Sequence, residues 1–181
     1  MTASNFGQSL KLLLKDEGGN DDDPADHGGR TSRGITQREY NAWRMEQGLS
    51  GRDVWSASTA EVEKIYHDEY WNPYCDGLPT GIDYLYFDMA VNAGPRRATI
   101  ILQRALGVAD DGRIGPITRQ SIKLIDPRML IENYTIKKAA FYVSLHQPRF
   151  LKGWLNRCNH VRYNAVGMIS KNWKAEKNAK H

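Results

Sequence analysis

Residues 82–91 are apolar nearly all the way round a helix, a pattern that suits a buried central position. A fold built on such a segment has to cover it, and the rest of the chain offers mainly helices. Phe6, Leu10, Leu13 and Leu14 recur at helical spacing and predict a helix over about residues 4–17, ended by Gly18-Gly19. Thr36 followed by Glu39, and Ser58 followed by Glu61, each match a capping box. The first opens a helix through Trp43, the second a helix carrying Val62, Ile65, Tyr66 and Tyr70, before Pro73 and the glycines at 77 and 81 break the pattern. Beyond Gly94-Pro95, helices are expected over residues 98–106, from Gly115-Pro116, from Asp126-Pro127 until Pro148 stops it, and over residues 150–169. Residues 20–33 have loop or short-hairpin composition, and the strand signal is confined to a small hairpin between Asp26 and Ile35. The fold class is therefore mainly α. A soft boundary near Gly94 divides residues 1–94 from 95–181, read as two lobes of one compact unit.

A length of 181 residues suits one domain with at most a small appendix, long enough to bury a core without disulfides. Hydrophobic residues at 40% and charged residues at 25% exclude wholesale disorder. No stretch approaches the roughly 20 apolar residues of a membrane span. Leu12-Leu13-Leu14, flanked by Lys11 and Lys15, is too short for an export signal, so synthesis into the cytoplasm is expected. Cys75 and Cys158 are expected as free thiols. From Arg149 to the end, eight lysines and arginines face one acid, Glu176, and Trp154, Tyr163 and Trp173 lie among them. That end either meets an anionic partner (nucleic acid, membrane surface or wall polymer) or is a solvated helix with a frayed terminus.

Glu17 falls in the last turn of the first helix, where the helix dipole disfavours negative charge, and two glycines leave it open to a ligand. A carboxyl pKa raised there would suit a general acid; the plain alternative is a surface Glu at a fraying helix end. Asp26, nine residues on, could be the second carboxylate of a glycosidase pair, or simply a turn residue beside Asp21, Asp22 and Asp23. The regular ligand spacing of a Ca²⁺ loop is missing, and the five histidines show no metal-ligand grouping, so neither a metal nor a cofactor is expected. Thr31 or Thr36 could hold an attacking water, although Thr36 has the competing role of helix cap. Asp88 and Asn92 share one face of the apolar helix and are either satisfied core polars or the floor of a cleft. Motifs for a metalloprotease, a serine-hydrolase elbow, a phosphate loop or a dinucleotide fold are absent.

Several separated motifs occur in order: Glu17-Gly18-Gly19, then Asp23-Pro24-Ala25-Asp26-His27-Gly28-Gly29-Arg30-Thr31, then Gly34-Ile35-Thr36. Tyr70-Trp71, Cys75-Asp76, Leu78-Pro79 and Phe87 to Gly94 continue the series. Together they resemble glycoside hydrolase family 108, N-acetylmuramidases found as phage endolysins and as bacterial proteins once called secretion activators. Leu102 to Val108, Asp111-Gly112, and Ile114-Gly115-Pro116 with Thr118 resemble the family's C-terminal peptidoglycan-binding region.

The resemblance spans about residues 8–170. It implies a lysozyme-like fold and cleavage of the β-1,4 bond between N-acetylmuramic acid and N-acetylglucosamine. It implies Glu17 as the catalytic acid, with Asp26 and Thr36 as catalytic partners and Thr31, Asp88 and Asn92 as substrate-binding residues. Peptidoglycan is then the partner, with an anionic membrane contact through the basic last helix as a further expectation. The chain is expected to be a monomer that does not act on nucleic acid, held in the host cytoplasm until a holin admits it to the wall. A silent wall-binding module, a nucleic-acid-binding protein and a peptidoglycan amidase or peptidase are the competing classes. The intact Glu17 loop, the lack of a recognition motif and the missing zinc ligands argue against them in turn.

Overall fold

The computed structural model describes residues 5–16, 20–21 and 30–178. The chain divides into two compact units, Met1–Pro73 and Tyr74–His181.

In the first unit, helix α1 (Phe6–Asp16) buries Ser9, Leu10 and Leu13. Phe6 meets the edges of His67 and Trp71, with ring centroids 5.0 and 5.5 Å away. Three two-residue strands follow, β1 (Asn20–Asp21), β2 (Thr31–Ser32) and β3 (Ile35–Thr36), antiparallel in that spatial order. Asn20 lies opposite Ser32 and Asp21 opposite Thr31; Thr31 in turn lies opposite Thr36. The β2–β3 link is Arg33-Gly34, with φ of 50° and 80°. A two-residue link with both φ values positive matches the right-handed strand twist. A left-handed arginine is uncommon, and two contacts pin it: Tyr66 Oη donates to the Arg33 carbonyl (2.8 Å), and the Arg33 guanidinium donates to the Ala57 carbonyl (2.5 Å).

Helix α2 (Gln37–Glu46) starts directly from β3, and its first turn is closed by the expected capping box of Thr36 and Glu39. A 3-10 turn (Val54–Ser56) follows, held to α2 by the Gln37 side chain, which accepts from Val54 N (2.8 Å) and donates to the Arg52 carbonyl (2.7 Å). Helix α3 (Thr59–Tyr66) opens on the second capping box, Ser58 with Glu61. It runs on into a π-helical turn (His67–Trp71) that buries Trp71. Glu61 also ties α3 to α2, accepting from Tyr40 Oη, Arg44 and Arg52 at 3.1, 2.8 and 2.5 Å.

The second unit is built round helix α4 (Ile82–Ala93), whose residues 82–90 are all buried, as its apolar circumference requires. Gly94 alone separates it from α5 (Pro95–Leu106), turning the chain at φ 83°. Then come α6 (Pro116–Leu124), α7 (Pro127–Ser144) and α8 (Pro148–Asn178). Helices α5, α7 and α8 cover α4, and α7 packs along α8. Asp126 caps α7 by accepting from Arg128 N (2.9 Å) and Met129 N (3.0 Å). Pro148 does more than stop α7: it is the first residue of α8, and the corner between them is turned at His146 with φ 52°. Proline suits a first helical position because the amide it lacks would have no intrahelical partner there. Cys75 and Cys158 are free and buried, and burial raises both thiol pKa values.

The chain is thus mainly helical, with a small antiparallel sheet where the hairpin was expected. The compact units meet at Pro73, so α4 belongs to the second unit; the sequence reading places the lobe boundary at Gly94.

Candidate active site

Glu17 and Asp26 lie outside the described residues. What is described is the frame from which they depart: the end of α1 at Asp16, the β1 strand, and the β2–β3 hairpin at Thr31–Thr36. The hairpin brings the two candidate threonines directly opposite one another.

Their hydroxyls are placed differently. Thr36 Oγ1 donates to Glu39 Oε2 (2.8 Å) and accepts from Glu39 N (3.2 Å). A hydroxyl has one proton and two lone pairs. Thr36 therefore retains one lone pair: it can accept a hydrogen bond from a water but has no proton left to give. Thr31 is half-buried, and its carbonyl accepts the indole N–H of Trp55 at 3.0 Å.

That contact introduces a group the sequence did not single out. Trp55 is 40% exposed, its ring position fixed by the bond to Thr31. Asp53 accepts from Trp55 N (2.9 Å) through one oxygen and pairs with Arg30 (2.8 Å) through the other. The Arg30 guanidinium in turn sits 4.6 Å from the centre of the Trp55 ring. The result is a partly exposed aromatic ring with a guanidinium over one face and the carboxylate that holds it alongside, both half-exposed, a combination suited to packing against a sugar ring while hydrogen-bonding its hydroxyls. Trp55 lies 24 residues from Thr31, and no local spacing could have revealed the pairing.

Glu69, on the π-helical turn, is also new. Its carboxyl pKa is raised, first by burial and then by the charges of Glu46, Asp68 and Glu39. Glu61 goes the other way. Burial pushes its pKa up, but hydrogen bonds from Ser58 and Tyr40 and the charge of Arg52 outweigh that and bring it down to about 2. Glu61 is therefore an ionised structural anchor.

Asp88 and Asn92 belong to the second unit. Asp88 is fully buried and ion-paired with Lys138 and with Arg157 (Nε to Oδ1, 2.8 Å). With no surface, it is a satisfied core polar rather than part of a cleft floor. Asn92 is exposed, and its side chain donates to the Asp88 carbonyl at 2.6 Å. No cluster of three or more His, Cys, Asp or Glu suited to a metal occurs among the described residues. Of the basic C-terminal side chains, Arg157 serves Asp88 and Arg162 pairs with Glu132 (2.7 Å). Those of Lys171, Lys174, Lys177 and Lys180 lie outside the described residues.

Comparison with known proteins gives this frame a family. Residues 10–94 match the family model described as Glycosyl hydrolase 108, and residues 97–159 match one described as Predicted Peptidoglycan domain. No curated protein matches the sequence. Among solved structures, that of Brucella abortus SagA shares 32% sequence identity with this chain. The match covers 91% of this chain and 95% of that one, with a TM-score of 0.78. A glycosidase region and a peptidoglycan region in this order, on a helical frame shared along nearly the full length of a relative, place the chain in glycosyl hydrolase family 108, as a lysozyme-like muramidase with a C-terminal peptidoglycan-binding domain.

Proposed function

We propose that this enzyme is an endolysin that cleaves the β-1,4 bond between N-acetylmuramic acid and N-acetylglucosamine, with Glu17 as general acid. The observation that carries this reading is the position of Glu17 in the chain, one residue beyond the C-terminal end of α1 and three before the first strand. The negative end of a helix disfavours a carboxylate, so it favours the protonated form that a leaving glycosidic oxygen needs. Asp26 lies in the connection between β1 and β2, nine residues after Glu17. In this mechanism it stabilises the oxocarbenium-like transition state or activates water. Thr31 and Thr36 flank that chemistry, Thr36 as an acceptor for water. Trp55 supplies a stacking face for a sugar next to the scissile bond.

The test is digestion of purified Gram-negative peptidoglycan by wild type and Glu17→Gln, with the new ends identified by mass spectrometry. New reducing N-acetylmuramic acid ends from wild type alone are the expected result. Reducing N-acetylglucosamine ends or new amino termini would replace the muramidase assignment by a glucosaminidase or a peptidase. Wild-type turnover by Glu17→Gln would remove Glu17 from the mechanism.

The endolysin role carries a cellular expectation. Expressed alone in a Gram-negative host, the enzyme should accumulate in the cytoplasm without harm, and chloroform, standing in for a holin, should trigger immediate lysis. Lysis on expression alone would mean the chain crosses the inner membrane unaided. Contact with anionic membrane is assigned to Lys171, Lys174, Lys177 and Lys180. Changing all four to Gln should weaken lysis of intact outer-membrane-bearing cells while sparing digestion of purified wall, and equal losses in both would refute that contact.

A further inference from the structure

In the second unit, a pocket of about 370 Å³ opens between the start of α5 and the turn that precedes α6. Its lining includes Arg96 and Arg113, both exposed. Neither guanidinium makes a salt bridge or a hydrogen bond among the described residues, but Arg113 acts at longer range on Asp111, whose pKa is lowered by the Gln103 hydrogen bond, the Arg113 N–H and the Arg113 charge together. Arg30, Arg44, Arg52, Arg104, Arg157 and Arg162, by contrast, all pair with carboxylates.

The pocket's walls are fixed. Asp111 also lines it, but Oδ1 of that carboxylate already accepts from Gln103 Nε2 (2.7 Å) and Arg113 N (2.8 Å). Gln103, buried at 1% exposure, completes the turn by accepting from Gly112 N (2.8 Å) and donating to the Arg113 carbonyl (2.9 Å). Gly112 holds φ 77°, and a Cβ there would stand 3.1 Å from Arg96 Cγ, so the arginine stem lies directly over the turn. The Thr99 hydroxyl is engaged with Tyr86 Oη (2.7 Å) and the Pro95 carbonyl (3.0 Å). The Tyr74 ring, stacked on Tyr86 at 6.2 Å, forms an aromatic wall. Two guanidiniums against one carboxylate leave the pocket net positive. Its volume lies within the roughly 300–1,000 Å³ typical of small-ligand sites.

We propose that this pocket binds the acidic peptide stem of peptidoglycan, with Arg96 and Arg113 gripping its carboxylates against the Tyr74 wall. A planar guanidinium fork matches a carboxylate in geometry as well as charge. The peptidoglycan match covers Thr99, Asp111, Gly112 and Arg113, four of the lining residues. In that polymer the sugar hydroxyls and acetamides are neutral, and the free carboxylates sit on the stems. The site therefore reads the peptide, leaving the glycan to the catalytic unit. Because the turn is already hydrogen-bonded, binding has to order the two arginine side chains but not the backbone beneath them. The assignment of peptidoglycan rests on the function proposed above; the anion pocket itself does not.

The experiment titrates the full-length protein with the free stem tetrapeptide L-Ala–γ-D-Glu–meso-diaminopimelate–D-Ala, following amide shifts by NMR. The peptide has no glycosidic bond, so the result does not depend on Glu17, and a failed muramidase assignment would show separately as missing glycan cleavage. Saturable shifts are expected at the 99–113 turn. Arg96→Gln/Arg113→Gln should weaken binding at least tenfold while keeping the wild-type thermal midpoint. A peptide with its carboxylates amidated should bind wild type as weakly as the free peptide binds the double variant, a comparison that requires no variant to fold. Equal binding of free and amidated peptide would overturn the proposal, as would undiminished binding by the double variant. Absence of tetrapeptide binding would overturn it too. So would inorganic phosphate or duplex DNA shifting the same residues more strongly than the peptide, which would mark a phosphate site.

Discussion

The ammonium of Lys138 and the carboxylate of Asp88 pair across 50 residues of sequence with almost no exposed surface, 0% and 1% for the two side chains. Burial raises the Asp88 pKa, but the charges of Lys138 and Arg157 prevail and hold it below the ordinary range. Removing one member of such a group leaves an uncompensated charge in the core, a loss of about 3–5 kcal/mol. Asp88→Asn should therefore lower the urea midpoint by a corresponding amount, and adding Lys138→Met should recover part of it. Additive losses in the double variant would show that the two groups do not compensate each other.

Glu61 should make the first unit acid-sensitive. Its pKa falls from 4.5 to about 2 on folding. A depressed carboxyl contributes stability that is complete above its unfolded value and lost as pH drops through its folded one. Wild type should lose stability between those limits, and Glu61→Gln should flatten that part of the curve. At neutral pH, Glu61→Gln should cost about 1–3 kcal/mol, since Arg44, Arg52 and the Ser58 cap lose a charged acceptor. Unfolding by denaturant at a series of pH values measures both.

Three glycines predict opposite signs. Gly81 holds φ 86°, and a Cβ there would stand 2.7 Å from the Ala165 carbonyl of α8. Gly81→Ala should destabilise by about 1–3 kcal/mol, combining backbone strain with a steric clash. Gly153 and Gly167 lie within α8 and have open space where a Cβ would go. Alanine at either should stabilise by about 0.5–1 kcal/mol. Thermal midpoints of the three variants rank them directly.

Trp55→Ala should raise KM for glycan several-fold with little change in kcat. Trp55→Phe, which keeps a ring but loses the bond to Thr31, should fall between. A fall in kcat alone would place Trp55 in hairpin support rather than in substrate stacking.

Local chemistry was the legible part of the fold. Thr36 with Glu39 and Ser58 with Glu61 declare their helices because both partners sit within one turn. The helix at Ile82–Ala93 shows in its apolar circumference. The π-helical turn at His67–Trp71 and the second role of Pro148 as a helix opener were not visible, because neighbouring packing decides how a chain leaves a helix. The same limit applies to the candidate sites. The threonines of the hairpin could be named from sequence, whereas Trp55 on Thr31 and Arg157 on Asp88 join residues 24 and 69 apart. Whether Asp88 was core or cleft depended on cations that no local pattern points to.

The two matched regions meet between residues 94 and 97, yet the chain divides into compact units at Pro73. Helix α4 thus belongs to the glycosidase by descent and to the helical unit by packing, covered by α5, α7 and α8. Recombination at the family border would deliver a hydrolase segment ending in a bare apolar rod, and a binding segment missing its centre. A graft that carries this binding half onto another enzyme must begin at Tyr74 to keep that helix with the three that cover it.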